Sequence, residues 1–186
     1  CCNDIYTYET DEETKDSVPN LATLMKYLPL RLYFHNDRPN PRTTDTITQW
    51  TYPETYEKYQ ALRAEYKREY SKGLSGDDKE DAQDDIDNLF DEYIEKGFND
   101  LHDFYPLLKK ELDEGKHIEL TIKGYASPLS GKEYNVALTL RRISSLINYL
   151  ERHDFGALRQ YISGRSPNGG KLTFVKEPFG EYTADT

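Results

Sequence analysis

Residues 118–150, IELTIKGYASPLSGKEYNVALTLRRISSLINYL, constrain this chain more than any other stretch. Ile118, Leu120 and Ile122 alternate, which predicts a strand buried on one face. Small residues and Pro128 then break it. From 131 to 152 the apolar residues recur at helical spacing, with Val136, Leu140, Ile143, Ile147 and Leu150 as the predicted core stripe. Asn135 falls near the start of this helix and Arg142 farther along it. A strand, a short loop and a long helix in this order place backbone N–H groups and a guanidinium near one another. Such a layout suits a small anionic group.

The remainder predicts an α+β chain, in the order β-(α)-α-β-α-β, with helices packed on a mixed sheet. Leu30, Leu32 and Phe34 alternate within 28–35 and give a first strand. Tyr52, Tyr56, Tyr59, Leu62, Tyr66 and Tyr70 give a helix over 52–71, opening after Thr51 with Pro53 in its first turn. Ile86, Leu89, Phe90, Tyr93 and Ile94 mark a second helix. Gly97 reads as the break before a third, built on Leu101, Tyr105, Leu108 and Leu112. A short helix is expected over 154–163, and a last strand from Leu172 to Val175. Residues 1–20 read as the tail of a preceding domain, CCNDIYTYE, followed by an acidic linker; the domain proper then spans 21–186. A second reading of Cys1 is an acylated lipoprotein N-terminus.

Charge narrows the partners. The formal net charge is −10, which opposes nucleic-acid phosphates and anionic headgroups, so nucleic acid is excluded as a partner. No apolar run approaches the roughly 20 residues of a membrane span, so no transmembrane segment is expected. Cys1 and Cys2 are adjacent and unsuited to pairing with each other. No cysteine–histidine spacing forms a metal site, and no cofactor motif is present. The stretch GYASPLSGKE lies between strand and helix but fails as a phosphate loop, because Glu133 follows Lys132 where Ser or Thr should stand. No nucleophile elbow or poised acid–base pair is visible, so the chain reads as non-catalytic.

The motif itself adds a resemblance. Gly124-Tyr125-Ala126-Ser127 followed by Tyr134-Asn135-Val136-Ala137-Leu138-Thr139-Leu140-Arg141-Arg142-Ile143 resembles the signature of the OmpA-like peptidoglycan-binding domain. LYFHND, 32–37, is similar to the family's first strand. The likeness covers about 28–40 and 98–182, and about 42–97 looks like an inserted helical pair. The resemblance implies a cell-wall anchor in the periplasm, associated with the outer membrane. Its ligand would be the peptidoglycan stem peptide (a muropeptide of diaminopimelate type). The implied ligand-binding residues are His35, Asp37, Tyr125, Ala126, Ser127, Tyr134, Asn135, Leu138 and Arg142, with Arg142 as the carboxylate clamp. The upstream strand and the insertion resemble outer-membrane lipoproteins of Bacteroidetes, among them a type IX secretion component. Other envelope or secretion-complex proteins are therefore also expected partners.

One departure bears on the chemistry. Ser127 stands where the family carries an aspartate. Losing a charged acceptor weakens binding by roughly 1.5–3 kcal/mol unless another group compensates. The rival expectation is a protein-interaction module that keeps the scaffold without wall binding. Arg142 would then pair with a carboxylate at the core edge, while Asn135 and Ser127 cap the turn. Arg141 is expected to face solvent, and His35 to border the pocket.

Overall fold

The computed structural model describes residues 3–9, 18–127 and 130–181. In chain order the elements are β1 (Asn3–Glu9), α1 (Val18–Met25), β2 (Arg31–Tyr33), α2 (Tyr52–Gln60), α3 (Arg63–Tyr70) and α4 (Asp77–Leu89). A π-helical turn (Phe90–Glu95) leads into α5 (Lys96–Asp113), and β3 (His117–Ala126) and α6 (Lys132–Arg152) follow. A 3-10 turn (Asp154–Gly156), α7 (Arg159–Ile162) and β4 (Lys171–Glu181) close the sequence of elements.

The fold is α+β. Among the described residues the strands form one four-stranded sheet in the order β2-β1-β3-β4. β1 runs antiparallel to both neighbours, and β3 and β4 are parallel. The sheet is mixed, as expected. The placement of β1 is not as expected. Read from sequence as the tail of a preceding domain, Asn3–Glu9 occupies an interior position, paired to Arg31–Tyr33 on one side and to Glu119–Lys123 on the other. An interior strand satisfies its backbone groups on both edges, and no local pattern announces which strands will supply those edges. Cys1 and Cys2 lie outside the described residues.

The helices rest on one main core. Leu30, Leu32 and Phe34 from the β2 region meet Leu101, Leu108 and Leu112 of α5, Ile118, Leu120 and Ile122 of β3, and Ile143, Leu146 and Leu150 of α6. A second cluster joins Tyr33, Tyr59, Ile86, Phe90 and Ile94 beneath the inserted helices. The tyrosines expected along one helix over 52–71 divide between α2 and α3, which a turn at Ala61 and Leu62 separates. Gly97 does not break the helix. The π turn carries the chain straight into α5, and the glycine serves a close approach instead: a Cβ there would stand 2.2 Å from the Arg31 carbonyl oxygen. β4 extends over Lys171–Glu181, well past the expected Leu172–Val175.

α6 departs most from its expected pattern. Its burial includes Asn135, Thr139, Arg141, Arg142 and Ser145 as well as apolar residues, whereas Val136, Leu140 and Ile147 are only half-buried. The cause is that α6 is covered on two sides. The sheet lies under Ile143 and Leu146, and the irregular segment 38–50 runs over the other face. A polar stripe at helical spacing holds that segment. Arg141 donates to the carbonyls of Pro39, Thr43 and Asp45. Ser144 Oγ accepts the Thr48 N–H, Asn148 donates to the Thr48 and Trp50 carbonyls, and Arg152 donates to Gln49. The backbone groups of an irregular segment are thus paired without a sheet.

Candidate functional site

Near its C-terminal end β3 lies close against α6. A Cβ at Gly124 would lie 2.8 Å from Thr139 Cβ and 3.3 Å from Ile143 Cδ1, so glycine allows α6 to press against the end of β3. That approach brings Arg142 beside Tyr125. Nη1 of Arg142 donates to the Tyr125 carbonyl at 2.9 Å, Nε to the Arg38 carbonyl at 3.1 Å, and Nη2 to the His35 carbonyl at 3.5 Å. The guanidinium lies over the Phe34 ring, 5.2 Å from its centroid. Arg142 is 1% exposed.

Asn135 is equally buried and fixes the loop. Its Nδ2 donates to the Ser127 carbonyl at 3.1 Å and the Ser130 carbonyl at 3.0 Å. One amide therefore spans the loop from end to end. Ser127 enters through its backbone oxygen. The Tyr125 ring stacks on Phe179 of β4 with centroids 5.1 Å apart. Ala126 and Leu138 are also buried.

The opposite wall comes from the segment after β2. Asp37 holds a left-handed backbone, with φ at 56°. Its carboxylate accepts a short hydrogen bond from the Tyr134 hydroxyl and another from the Arg42 N–H at 3.2 Å. The Arg42 N–H also donates to the Tyr134 hydroxyl oxygen at 2.9 Å. His35 bonds through Nδ1 to the Tyr66 hydroxyl of the insertion at 2.9 Å. Burial holds its imidazole below the usual histidine range. The nearby Arg38 acts in the same direction, Glu65 opposes, and Arg142 adds a smaller push downward.

The nine residues singled out from sequence therefore share one region, though in unequal roles. Arg142 meets no carboxylate within ion-pair distance among the described residues; backbone carbonyls take that place. Arg141, expected at the surface, is 0% exposed and is the larger surprise. It too lacks a carboxylate partner among the described residues. Its Nη2 is buried with no hydrogen-bond partner, and the guanidinium lies 5.5 Å from the Tyr134 ring centroid. The recurrence of Arg141, Ser144, Asn148 and Arg152 at steps of three and four residues is the signal that could have exposed this second face.

Two adjacent buried cations are met here by backbone carbonyls and aromatic faces. The Asp37 carboxylate stands on the opposite wall, engaged by Tyr134 and Arg42. Among the described residues no cluster of three or more histidine, cysteine, aspartate or glutamate side chains suits a metal ion. No described helix is long and apolar enough to cross a membrane.

Fold and geometry together define an α+β chain with two buried arginines beside the β3–α6 connection. Comparison with protein-family models, with curated proteins and with solved structures finds no match for this chain.

Proposed function

We propose that the chain is a non-catalytic binding module of the OmpA-like type, holding a peptidoglycan stem peptide at the β3–α6 loop and so tying an envelope protein to the cell wall in the periplasm. One observation carries this reading: Arg141 and Arg142 are buried side by side with no carboxylate partner among the described residues. A stem-peptide carboxylate supplies the missing counter-charge. Asp37 offers what Ser127 lacks, because its carboxylate stands at Tyr134 and can receive the ammonium of a diaminopimelate group. The ligand's zwitterion thereby meets opposite charges on two walls.

A second reading is supported by a separate fact. Three of the chain's own carbonyls already occupy Arg142, and His35 is bonded to Tyr66 of the insertion. In that reading the arginines brace the scaffold and the insertion docks an envelope or secretion-complex protein, with Tyr70 and Tyr93 exposed on it.

Co-sedimentation with purified wall sacculi separates the two. The first reading predicts that the folded chain pellets with diaminopimelate-type sacculi and that soluble muropeptide releases it. A chain that stays in the supernatant under both conditions supports the second.

A further inference from the structure

β4 forms one edge of the sheet. Among the described residues its one strand neighbour is β3, and it runs for 11 residues, whereas β2 at the opposite edge has 3. A long edge without a neighbour is a template for another strand.

The register decides which backbone groups face outward. The Lys171 N–H donates to the Lys116 carbonyl at 3.0 Å, so Lys171 turns its backbone toward β3. The ladder then runs without a shift from His117 opposite Lys171 to Gly124 opposite Pro178. Backbone direction alternates along a strand, so Thr173, Val175 and Glu177 also bond inward. Leu172, Phe174, Lys176 and Pro178 turn their backbone groups away from β3. Pro178 has no N–H, and at an outward position it costs the ladder nothing. It also ends the usable edge. Leu172, Phe174 and Lys176 keep both donor and acceptor.

These three residues select one register with a second copy of the chain. In an antiparallel pair, opposed residues either both point at each other or both point away. A twofold axis at Phe174 sets Leu172 against Lys176 of the second copy and Phe174 against its counterpart, with every N–H present. Moving the axis one residue forward opposes Leu172 to Pro178, which has no donor. Moving it one residue back opposes Lys176 to Gly170, whose N–H is already held by Asn168 Oδ1 at 2.9 Å. Charge agrees with the axis at Phe174. On the other face of the sheet it places the exposed Lys171 opposite Glu177, twice by symmetry. Opposite charges directly across a strand pair are favourable, and like charges are not. Thr173 there meets Val175, which is 36% exposed.

We propose that the outer edge of β4 is a self-association surface, on which a second copy adds its own β4 antiparallel about a twofold axis at Phe174. The two sheets then continue as one. This surface stands apart from the Arg142 site and does not require the stem-peptide reading.

The test is sedimentation velocity from micromolar to submillimolar protein, on the wild type, Lys176→Pro, Lys171→Glu and the double variant Lys171→Glu/Glu177→Lys. Proline at 176 removes an outward N–H and leaves the ladder to β3 intact, so the variant should fold; far-UV circular dichroism verifies this. The proposal predicts a concentration-dependent dimer in the wild type. Its dissociation constant should rise roughly tenfold or more in Lys176→Pro, which loses one donor from each copy. Lys171→Glu should also weaken the dimer, and the double variant should regain affinity, because the charge pair is restored with its signs exchanged. A wild type that stays monomeric throughout overturns the proposal. A folded Lys176→Pro that dimerises as the wild type does overturns it too, as does a double variant no tighter than Lys171→Glu.

Discussion

Arg142 and Tyr125 are joined by a hydrogen bond of 2.9 Å that ties the middle of α6 to the end of β3. The same guanidinium reaches the carbonyls of Arg38 and His35. One side chain therefore fixes three chain segments that come together only in the folded state. Replacing it with methionine fills the space but removes the guanidinium from three carbonyls, of which that of His35 keeps the Arg38 N–H. Stability should fall by about 3 kcal/mol, since hydrogen bonds to charged groups are the strong ones and buried acceptors are costly to orphan. Lysine should recover only part of this, because an ammonium cannot present a planar fork. Urea denaturation checks both; a loss below about 1 kcal/mol for Arg142→Met would show that the clamp is not structural.

Gly97 makes a sharper steric prediction. With the Arg31 carbonyl oxygen 2.2 Å from where a Cβ would sit, Gly97→Ala must push α5 away from β2. A cost of about 2–3 kcal/mol is expected for such overpacking, despite the better helix propensity of alanine. Thermal unfolding of the variant tests it. An alanine that stabilised the protein would contradict this account of the α5–β2 contact.

The entry into the insertion rests on a cap. Glu54 Oε2 accepts from the Thr51 N–H at 2.6 Å and from the Thr51 hydroxyl at 2.7 Å. The backbone bond from Thr51, followed by its hydroxyl, holds the Glu54 carboxyl below the usual glutamate range. A depressed folded-state value means that the stabilisation is present above the unfolded pKa and is lost as pH falls through the folded one. Thr51→Ala should cost about 1 kcal/mol at neutral pH. The difference from wild type should shrink in acid, and urea melts at the two pH values would reveal a cap that does not titrate.

His35 gives the opposite kind of titration at higher pH. Burial disfavours its protonated form, so the folded chain takes up a proton at lower pH than the unfolded chain does. The unfolded value lies near 6.5, so the favourable term is complete above about pH 6.5 and is lost as pH drops through the window beneath it. Burial shifts His153 in the same direction, with Asp154 opposing, so His35 accounts for only part of the slope. The urea midpoint of the wild type should therefore fall more steeply on acidification than that of His35→Gln. Parallel slopes would mean that the Tyr66 bond does not require a neutral ring.

How far the sequence led depends on which interactions were local. The alternation of Ile118, Leu120 and Ile122 and the glycine and proline punctuation around 124–131 are short-range signals, and β3 and α6 stand where they pointed. So do the buried positions of the third helix, Leu101, Tyr105, Leu108 and Leu112. The misreadings share one cause, a neighbour distant in sequence. Gly97 looked like a helix break because its true constraint is the Arg31 carbonyl, many residues earlier. Arg141 looked exposed because amphipathic reasoning allows a helix one buried face, whereas segment 38–50 covers a second. β1 looked like another domain's tail because its partners, β2 and β3, are remote. At the site, the grouping of Asp37, Tyr134, Asn135 and Arg142 was legible from the motif. That carbonyls would replace a carboxylate at Arg142 was not, since backbone direction leaves no mark on side-chain pattern.

In the proposed function a stem-peptide carboxylate meets the buried arginines and the peptide's ammonium meets Asp37. Calorimetric titration with a defined diaminopimelate muropeptide tests it most directly, on the wild type and on Asp37→Asn, which keeps the shape of the wall. Saturable binding by the wild type is expected, with a loss of roughly ten- to a hundredfold in Asp37→Asn, the worth of one charged hydrogen bond. Absence of binding by the folded wild type, or equal affinity in the two proteins, would contradict it.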